Sequence, residues 1–323
     1  MGRLWFREGG YVDDGFFKRK GRKGFAKDAK GDKENFWKSF LGFLCAHCAT
    51  FAPFAFIKPM SALPHFKAQG TGPTVLMLHG IGGNHAAFGP QMQSLAGAGY
   101  QAVAWDMPGY GHSARIDPYT FDGLADACIA LIEHLQTGPV VLLGHSMGGM
   151  VAQQVIARRA DLVGAAVLAG TAPSFGRKPD GTVSQTWQQH FITSRTGPLD
   201  AGQTMAQLAA TLVSQMAGPG VQPADLALAL DCMASVPTAT YRVALQALLT
   251  FDQRANLARI AVPTLLVAGQ FDKSAPPAVM QAMANAIANS RYVQLPGTGH
   301  LLNLEAPQVF DAVLLAFLGA RSA

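Results

Sequence analysis

From residue 73 onward, short apolar runs alternate with stretches of helical character, and this alternation narrows the accessible folds more than any other feature of the chain. The runs lie at residues 74–78, 102–105, 140–143, 164–168, 264–268 and 292–295. Most are apolar at every position rather than at every second one, which suits strands buried on both faces of a parallel sheet. The stretches between them, near 88–98, 121–136, 147–160, 276–288 and 307–319, have helical length and spacing. Alternation of this kind predicts an α/β fold with a mostly parallel, doubly wound sheet. Residues 63–69 are expected to add an antiparallel edge strand.

One interval breaks the pattern. Between Gly170 and Val262 there is no convincing strand, but helical patterns appear near 201–216, 223–234 and 238–250. Leu208, Leu212, Met216, Leu226, Leu228 and Leu230 supply apolar faces, and prolines punctuate the segments. Residues 171–251 are therefore expected to form a helical cap inserted after one strand. Residues 60–170 and 252–323 would make the core.

Charge separates a further segment. The chain has 323 residues and a formal net charge of +5. Residues 1–59 hold 12 Lys and Arg against 6 Asp and Glu, and residues 60–323 hold 13 against 14. The basic pI thus belongs to an N-terminal appendage, and the body has no basic groove that would suggest a nucleic-acid partner. Residues 39–57 carry no formal charge and barely reach membrane-spanning length, with His47 and Pro53 inside them. Two readings stand: an anchor, which would bring membrane contact, or a non-native extension ahead of a start at Met60. Against the second, a start at Met60 leaves only about 20 residues before the glycine-rich loop at Gly80. A cytoplasmic location is expected, with membrane anchoring as the alternative. Cys45 and Cys48 have metal-ligand spacing but lack a second pair, and Cys128 and Cys232 sit in apolar helical patterns as buried thiols. No metal and no cofactor are expected.

The chemistry is carried by short motifs at strand ends. Gly144-His145-Ser146-Met147-Gly148 follows the run 140–143 and opens a helix. A serine on such a sharp turn is backbone-strained, and neighbouring glycines avoid side-chain clashes. Gly149 would let the helix sit close to the sheet. His79-Gly80-Ile81-Gly82-Gly83 ends an earlier strand and can turn backbone N–H groups toward a developing oxyanion. No Gly-Lys-Ser/Thr follows, so a phosphate-binding loop of the Walker type is excluded. A serine nucleophile needs a base, and the base needs an orienting carboxylate. Gly299-His300 and Gly269-Gln270-Phe271-Asp272 follow the last two apolar runs and offer both. His79 reads as structural and His134 as packed or solvated. His85, His112, His145 and His190 are placed within reach of the pocket. Asp106 reads as fixing a tight loop, and Asp252 is a reserve acid.

Over residues 73–319 the chain resembles the α/β-hydrolase superfamily, in its capped esterase and 3-oxoadipate enol-lactonase-like branch. The carriers are His79-Gly80-Ile81-Gly82-Gly83, Asp106-x-Pro108-Gly109-x-Gly111-x-Ser113, Gly144-His-Ser-Met-Gly-Gly149, Gly269-x-x-Asp272 and Gly299-His300-x4-Glu305-x-Pro307. The order Ser146, Asp272, His300 is that of this superfamily. By the same analogy the oxyanion donors are the N–H groups of Ile81 and Met147. The departures are informative. Ser146 stands where dehalogenases and epoxide hydrolases of the superfamily carry Asp. His145 and Leu301 replace the Asn and Trp usual in C–C-bond hydrolases.

These features imply a serine hydrolase that cleaves a small-molecule ester or lactone through an acyl-enzyme. Enol-lactone or C–C hydrolysis and acyl transfer are rival chemistries on the same fold, and a non-catalytic ligand receptor is a rival of another class. The inserted segment and its border hold Arg177, Lys178, Arg195, Arg242 and Arg254, none in a recognisable motif, so a neutral, moderately hydrophobic ester is the expected substrate. Oligomeric state is not encoded in any feature of the chain.

Overall fold

The computed structural model describes residues 63–178 and 180–320. The basic segment, the uncharged stretch 39–57 and the Cys45–Cys48 pair lie outside the described residues. No described helix is long and apolar enough to cross a membrane.

Seven strands form one sheet: β1 (Phe66–Gln69), β2 (Thr74–Leu78), β3 (Gln101–Trp105), β4 (Val140–His145), β5 (Val163–Ala169), β6 (Thr264–Gly269) and β7 (Ser290–Leu295). Their order across the sheet is β1-β3-β2-β4-β5-β6-β7, with only β1 antiparallel. The central strands β2, β4 and β6 are buried at every position, as their continuous apolar runs require. The edge strand β1 is mostly exposed and the edge strand β7 is only partly buried, and both are correspondingly mixed in composition. The edge strand is shorter than the expected 63–69. Pro64 has no N–H to give to a ladder, and His65 directs its own N–H to the Ser113 hydroxyl at 2.8 Å.

Helices cover both faces. On one lie α1 (Gly89–Gly97) and α10 (Pro307–Gly319), packed on Val75, Met77, Leu143 and Val167. On the other lie α2 (Phe121–Leu135), α3 (Met147–Arg159) and α8 (Pro277–Ala286), packed on Leu76, Leu78, Leu142 and Leu168. Successive residues of one strand thus enter opposite cores, as the two-residue period of a strand dictates. The chain steps from β2 to β3 on one side and then crosses back over β2 to β4 on the other, so the winding direction reverses here. Ligands of open α/β sheets gather at the carboxyl ends of strands at such a switch point. The glycine-rich loop after β2 and the serine turn after β4 both end there, side by side through the Leu78–Gly144 register.

Between β5 and β6 stand four helices: α4 (Gln185–Asp200), α5 (Met205–Met216), α6 (Ala227–Ala234) and α7 (Thr238–Leu248). A short α9 (Leu302–Glu305) follows β7. Three of the four inserted helices match the apolar patterning. Helix α4 does not, because its sequence is dominated by Gln, Thr and Ser and it contains Pro198 near its end. Its aromatic contact comes from two residues one turn apart, Trp187 and Phe191, which pack with Phe175, and Ile192 and Leu199 add partly buried aliphatic contacts. The Ser184 side chain caps it by accepting from the Trp187 N–H.

Candidate active site

Ser146 sits between β4 and α3 with φ 54° and ψ −120°, a left-handed conformation that costs a non-glycine residue on the order of 1–3 kcal/mol. The turn is held from both sides. The Ser146 N–H donates to the Ala169 carbonyl at 2.9 Å, and the Thr171 hydroxyl donates to the Ser146 carbonyl at 2.8 Å. Its tightness explains two glycines. A Cβ on Gly148 would lie 2.0 Å from the Leu78 carbonyl oxygen, and one on Gly144 would lie 2.5 Å from that of Gly148.

The loops after β6 and β7 bring the other two side chains to this serine. His300 Nε2 lies 2.9 Å from Ser146 Oγ, and His300 Nδ1 lies 2.8 Å from Asp272 Oδ2. Asp272 and His300 are both buried. Burial raises the Asp272 carboxyl pKa. The His300 ring and the N–H groups of Ala275 and Ser274 outweigh that and hold it below the ordinary carboxylate range. The ionised Asp272 therefore accepts Nδ1–H, which leaves Nε2 free to accept from the serine hydroxyl. The His300 loop is braced by the inserted helices. The His300 N–H donates to the Met216 carbonyl at 2.8 Å. The Glu305 carboxylate gathers the N–H groups of Gly218, Gly299 and Leu301 at 2.7–2.8 Å.

On the other side of Ser146 lies the glycine-rich loop. A Cβ on Gly80 would meet the Ser146 Cβ at 2.9 Å, so this loop approaches the nucleophile more closely than a side chain permits. The backbone N–H groups of Ile81 and Met147 make no hydrogen bond to a protein acceptor among the described residues. His79 shapes the loop. Its Nδ1–H donates to the Gly80 carbonyl at 2.8 Å, and its Nε2 accepts from the Met107 N–H at 2.9 Å. Burial drives its pKa down to about 4, so the ring is neutral, as an accepting Nε2 requires. His145 is also buried and lowered to about 4, first by burial and then by the neighbouring His300. Its Nε2–H donates to the His300 carbonyl at 2.8 Å.

These residues form the floor of a cavity of about 580 Å³. The core contributes the loop from His79 to Gly83 with His145, Ser146 and His300. The inserted helices contribute Trp187, Phe191, Arg195, Met233, Tyr241 and Leu245 among others.

Three histidines placed by sequence within reach of this cavity do not line it. His190 is exposed on α4. His85 joins His65, a residue without a sequence signal, around Asp106. The Asp106 oxygens lie 2.8 Å from His85 Nδ1 and 2.7 Å from His65 Nδ1, and they accept the N–H groups of His85 and His112. Burial raises the Asp106 carboxyl, but these hydrogen bonds prevail and keep it below its ordinary range. Asp106 thus ties the start of β1, the residues before α1 and the loop 107–113 into one knot. His65, His85 and Asp106 also form the only grouping of potential metal ligands among the described residues, with ligand atoms within 4.8 Å. Both carboxylate oxygens are already engaged, and none of the three residues lines the cavity. Asp252, the reserve acid, is exposed and pairs with Arg254 at 2.7 Å. Cys128 and Cys232 are buried free thiols, and burial pushes the Cys232 thiol up to about 11.

Residues 73–307 match the family model described as alpha/beta hydrolase fold. The AB hydrolase superfamily protein YisY of Bacillus subtilis is 30% identical over 251 residues, which are 77% of this chain and 92% of that protein. The pimeloyl-[acyl-carrier protein] methyl ester esterase of Vibrio vulnificus is 27% identical over 80% of this chain and all of its own length. Among solved structures, the enol-lactonase from Burkholderia xenovorans LB400 superposes with a TM-score of 0.69 at 26% identity, covering 79% of this chain and 96% of its own.

Proposed function

This chain belongs to the alpha/beta hydrolase fold family, and we propose that it is a serine hydrolase that cleaves a small carboxylic ester or lactone through an acyl-enzyme. One observation carries most weight. The hydrogen-bonded chain runs from Ser146 Oγ through His300 to Asp272, at 2.9 and 2.8 Å; Ser146 and His300 lie on the floor of a largely apolar cavity, and Asp272 is buried behind them. In this mechanism Ser146 Oγ attacks the carbonyl carbon while His300 Nε2 takes its proton. Asp272 accepts Nδ1–H and stabilises the imidazolium. The N–H groups of Ile81 and Met147 receive the developing oxyanion, each contributing on the order of 10²–10³ in rate. His300 then protonates the leaving alkoxide. Water, deprotonated by the same nitrogen, attacks the acyl carbon and releases the acid. His79, held neutral by burial, has both ring nitrogens committed to backbone groups, and His145, also held neutral, has its Nε2 committed to the His300 carbonyl; neither takes the base role in this reading.

Residues 171–251 act as the cap in this reading. They supply most of the apolar cavity wall, and they brace His300 through Met216 and Gly218. Closing the cavity excludes bulk water and strengthens the electrostatic contacts on the floor. The test uses the full chain with p-nitrophenyl acetate and a fluorophosphonate probe. Hydrolysis and covalent labelling are expected in the natural protein and neither in Ser146→Ala. Equal hydrolysis by the two proteins, with no label on Ser146, would overturn the proposal.

A further inference from the structure

The charge inside the cavity revises the expectation of a neutral substrate. Two cationic side chains line the cavity, Arg195 and Lys273, and no Asp or Glu does. Lys273 is exposed and solvated. Arg195 is not. It stands on α4 with Trp187 and Phe191 at intervals of four residues, a spacing that puts all three on one helix face. The Trp187 and Phe191 rings are stacked at 13° with centroids 5.3 Å apart, and the Arg195 guanidinium carbon lies 3.9 Å from the Phe191 centroid.

The guanidinium is held in place but not neutralised. Its two protein hydrogen bonds both use Nη1, to the Phe191 carbonyl at 3.3 Å and to the Ser194 hydroxyl at 3.2 Å, within its own helix. Among the described residues Nε and Nη2 have no acceptor, and no carboxylate pairs with the side chain. The nearby arginines differ. Arg177 and Arg254 pair with Asp252 at 3.5 and 2.7 Å, and Arg242 pairs with Asp200 at 2.6 Å. Burial pulls the Arg195 pKa below its ordinary value, a sign that the charge is partly stripped of water, although an arginine stays protonated. A partly desolvated charge without a counterion is unfavourable unless something completes it. The planar fork formed by Nε and Nη2 matches a carboxylate bidentately. A phosphate dianion would call for more donors than this apolar wall offers.

We infer that Arg195 is a specificity-determining residue that recognises a carboxylate on the substrate, so that the protein acts on esters or lactones carrying a second, free carboxylate. This rests on the ester-hydrolase reading. It requires that the reacting carbonyl lie at Ser146 while the free carboxylate, on the acyl or the alcohol portion, reaches α4 across an apolar spacer.

Matched substrates test it with the full chain. One pair is monomethyl adipate against methyl hexanoate, and the other is 4-acetoxybutanoate against butyl acetate. In at least one pair kcat/KM is expected to be about tenfold or more higher for the carboxylate member, mainly through KM. Arg195→Gln should collapse that ratio toward one, Arg195→Lys should keep part of it, and Lys273→Gln should leave it in place. Ratios near one in both pairs, or a ratio that survives Arg195→Gln, would overturn the inference while leaving the serine-hydrolase reading intact. If no ester is turned over, that reading fails first. Calorimetric titration with adipate then still decides the role of Arg195. Saturable binding that Arg195→Gln abolishes supports the carboxylate site, and equal or absent binding in the two proteins removes it.

Discussion

Two buried aspartates, Asp106 just beyond β3 and Asp272 just beyond β6, each accept a histidine Nδ1 at 2.7–2.8 Å, and both carboxyls are held below their ordinary range. Their surroundings differ in what the second ring nitrogen meets. At Asp272 the ring is buried, and its Nε2 faces a serine oxygen at 2.9 Å on a cavity floor. At Asp106 two rings share one carboxylate. They are 29% and 23% exposed and lie edge-on to one another, outside the cavity. A buried Asp–His pair is therefore not a catalytic device in itself. In the proposed mechanism it becomes one because the ring's other nitrogen reaches a nucleophile beside an enclosed space. Without that, the same chemistry fastens loops together.

The sharpest way to break this comparison is to neutralise each carboxylate in turn. Asp272→Asn is expected to lower kcat/KM on an activated ester by about 10⁴, because the amide disturbs the His300 tautomer and cannot stabilise the imidazolium. A loss below tenfold in a folded variant would show that Asp272 is not the orienting acid. Asp106→Asn should reverse the balance. It is expected to lose about 3 kcal/mol of stability in urea unfolding, because several donors then face an uncharged group, while kcat of the folded fraction stays within about threefold. An equal collapse of activity at full stability would erase the distinction between the two sites.

A third, smaller effect sets the charged carboxylates against the neutral rings beside them. His79 and His145 are each lowered from 6.5 to about 4 by burial, so between those pH values the unfolded chain binds protons that the folded chain refuses. The contribution of each ring is fully present above pH 6.5 and is lost as pH falls toward 4, on the order of 2–3 kcal/mol per ring. The depressed carboxyls of Asp106 and Asp272 act further down. Their contribution holds above the unfolded value of 3.8 and disappears only as pH falls through the lower folded values. Urea midpoints measured from pH 7 to 4 should fall steadily, and His145→Gln should flatten part of the slope. A level profile over that range would show that the two rings are not kept neutral by the fold.

Much of the site was legible because it depends on local backbone constraints. Gly144, Ser146 and Gly148 declare a turn too tight for a neighbouring Cβ, and continuous apolar runs declare which strand ends Asp272 and His300 must follow. Glu305 was visible as a motif member, but its task of gathering three N–H groups was not, since one of them comes from Gly218 in the inserted helices. His65 carried no signal, because its partner Asp106 is 41 residues away and the link exists only once β1 pairs antiparallel with β3. Helix α4 was missed because two aromatic residues one turn apart among Gln, Thr and Ser make too weak a period to read.

The sequence by itself determined the fold class, the strand ends that meet at the switch point and the identity of the three residues gathered there. Each of these follows from short-range sterics or from the period of apolar residues. Tertiary structure alone decided that His65 and His85 gather on Asp106, and which arginine of the inserted region stands in the cavity without a counterion. Those outcomes depend on side chains brought together from distant segments, and the desolvation that makes Arg195 and Asp272 consequential exists only when the helices close over the sheet.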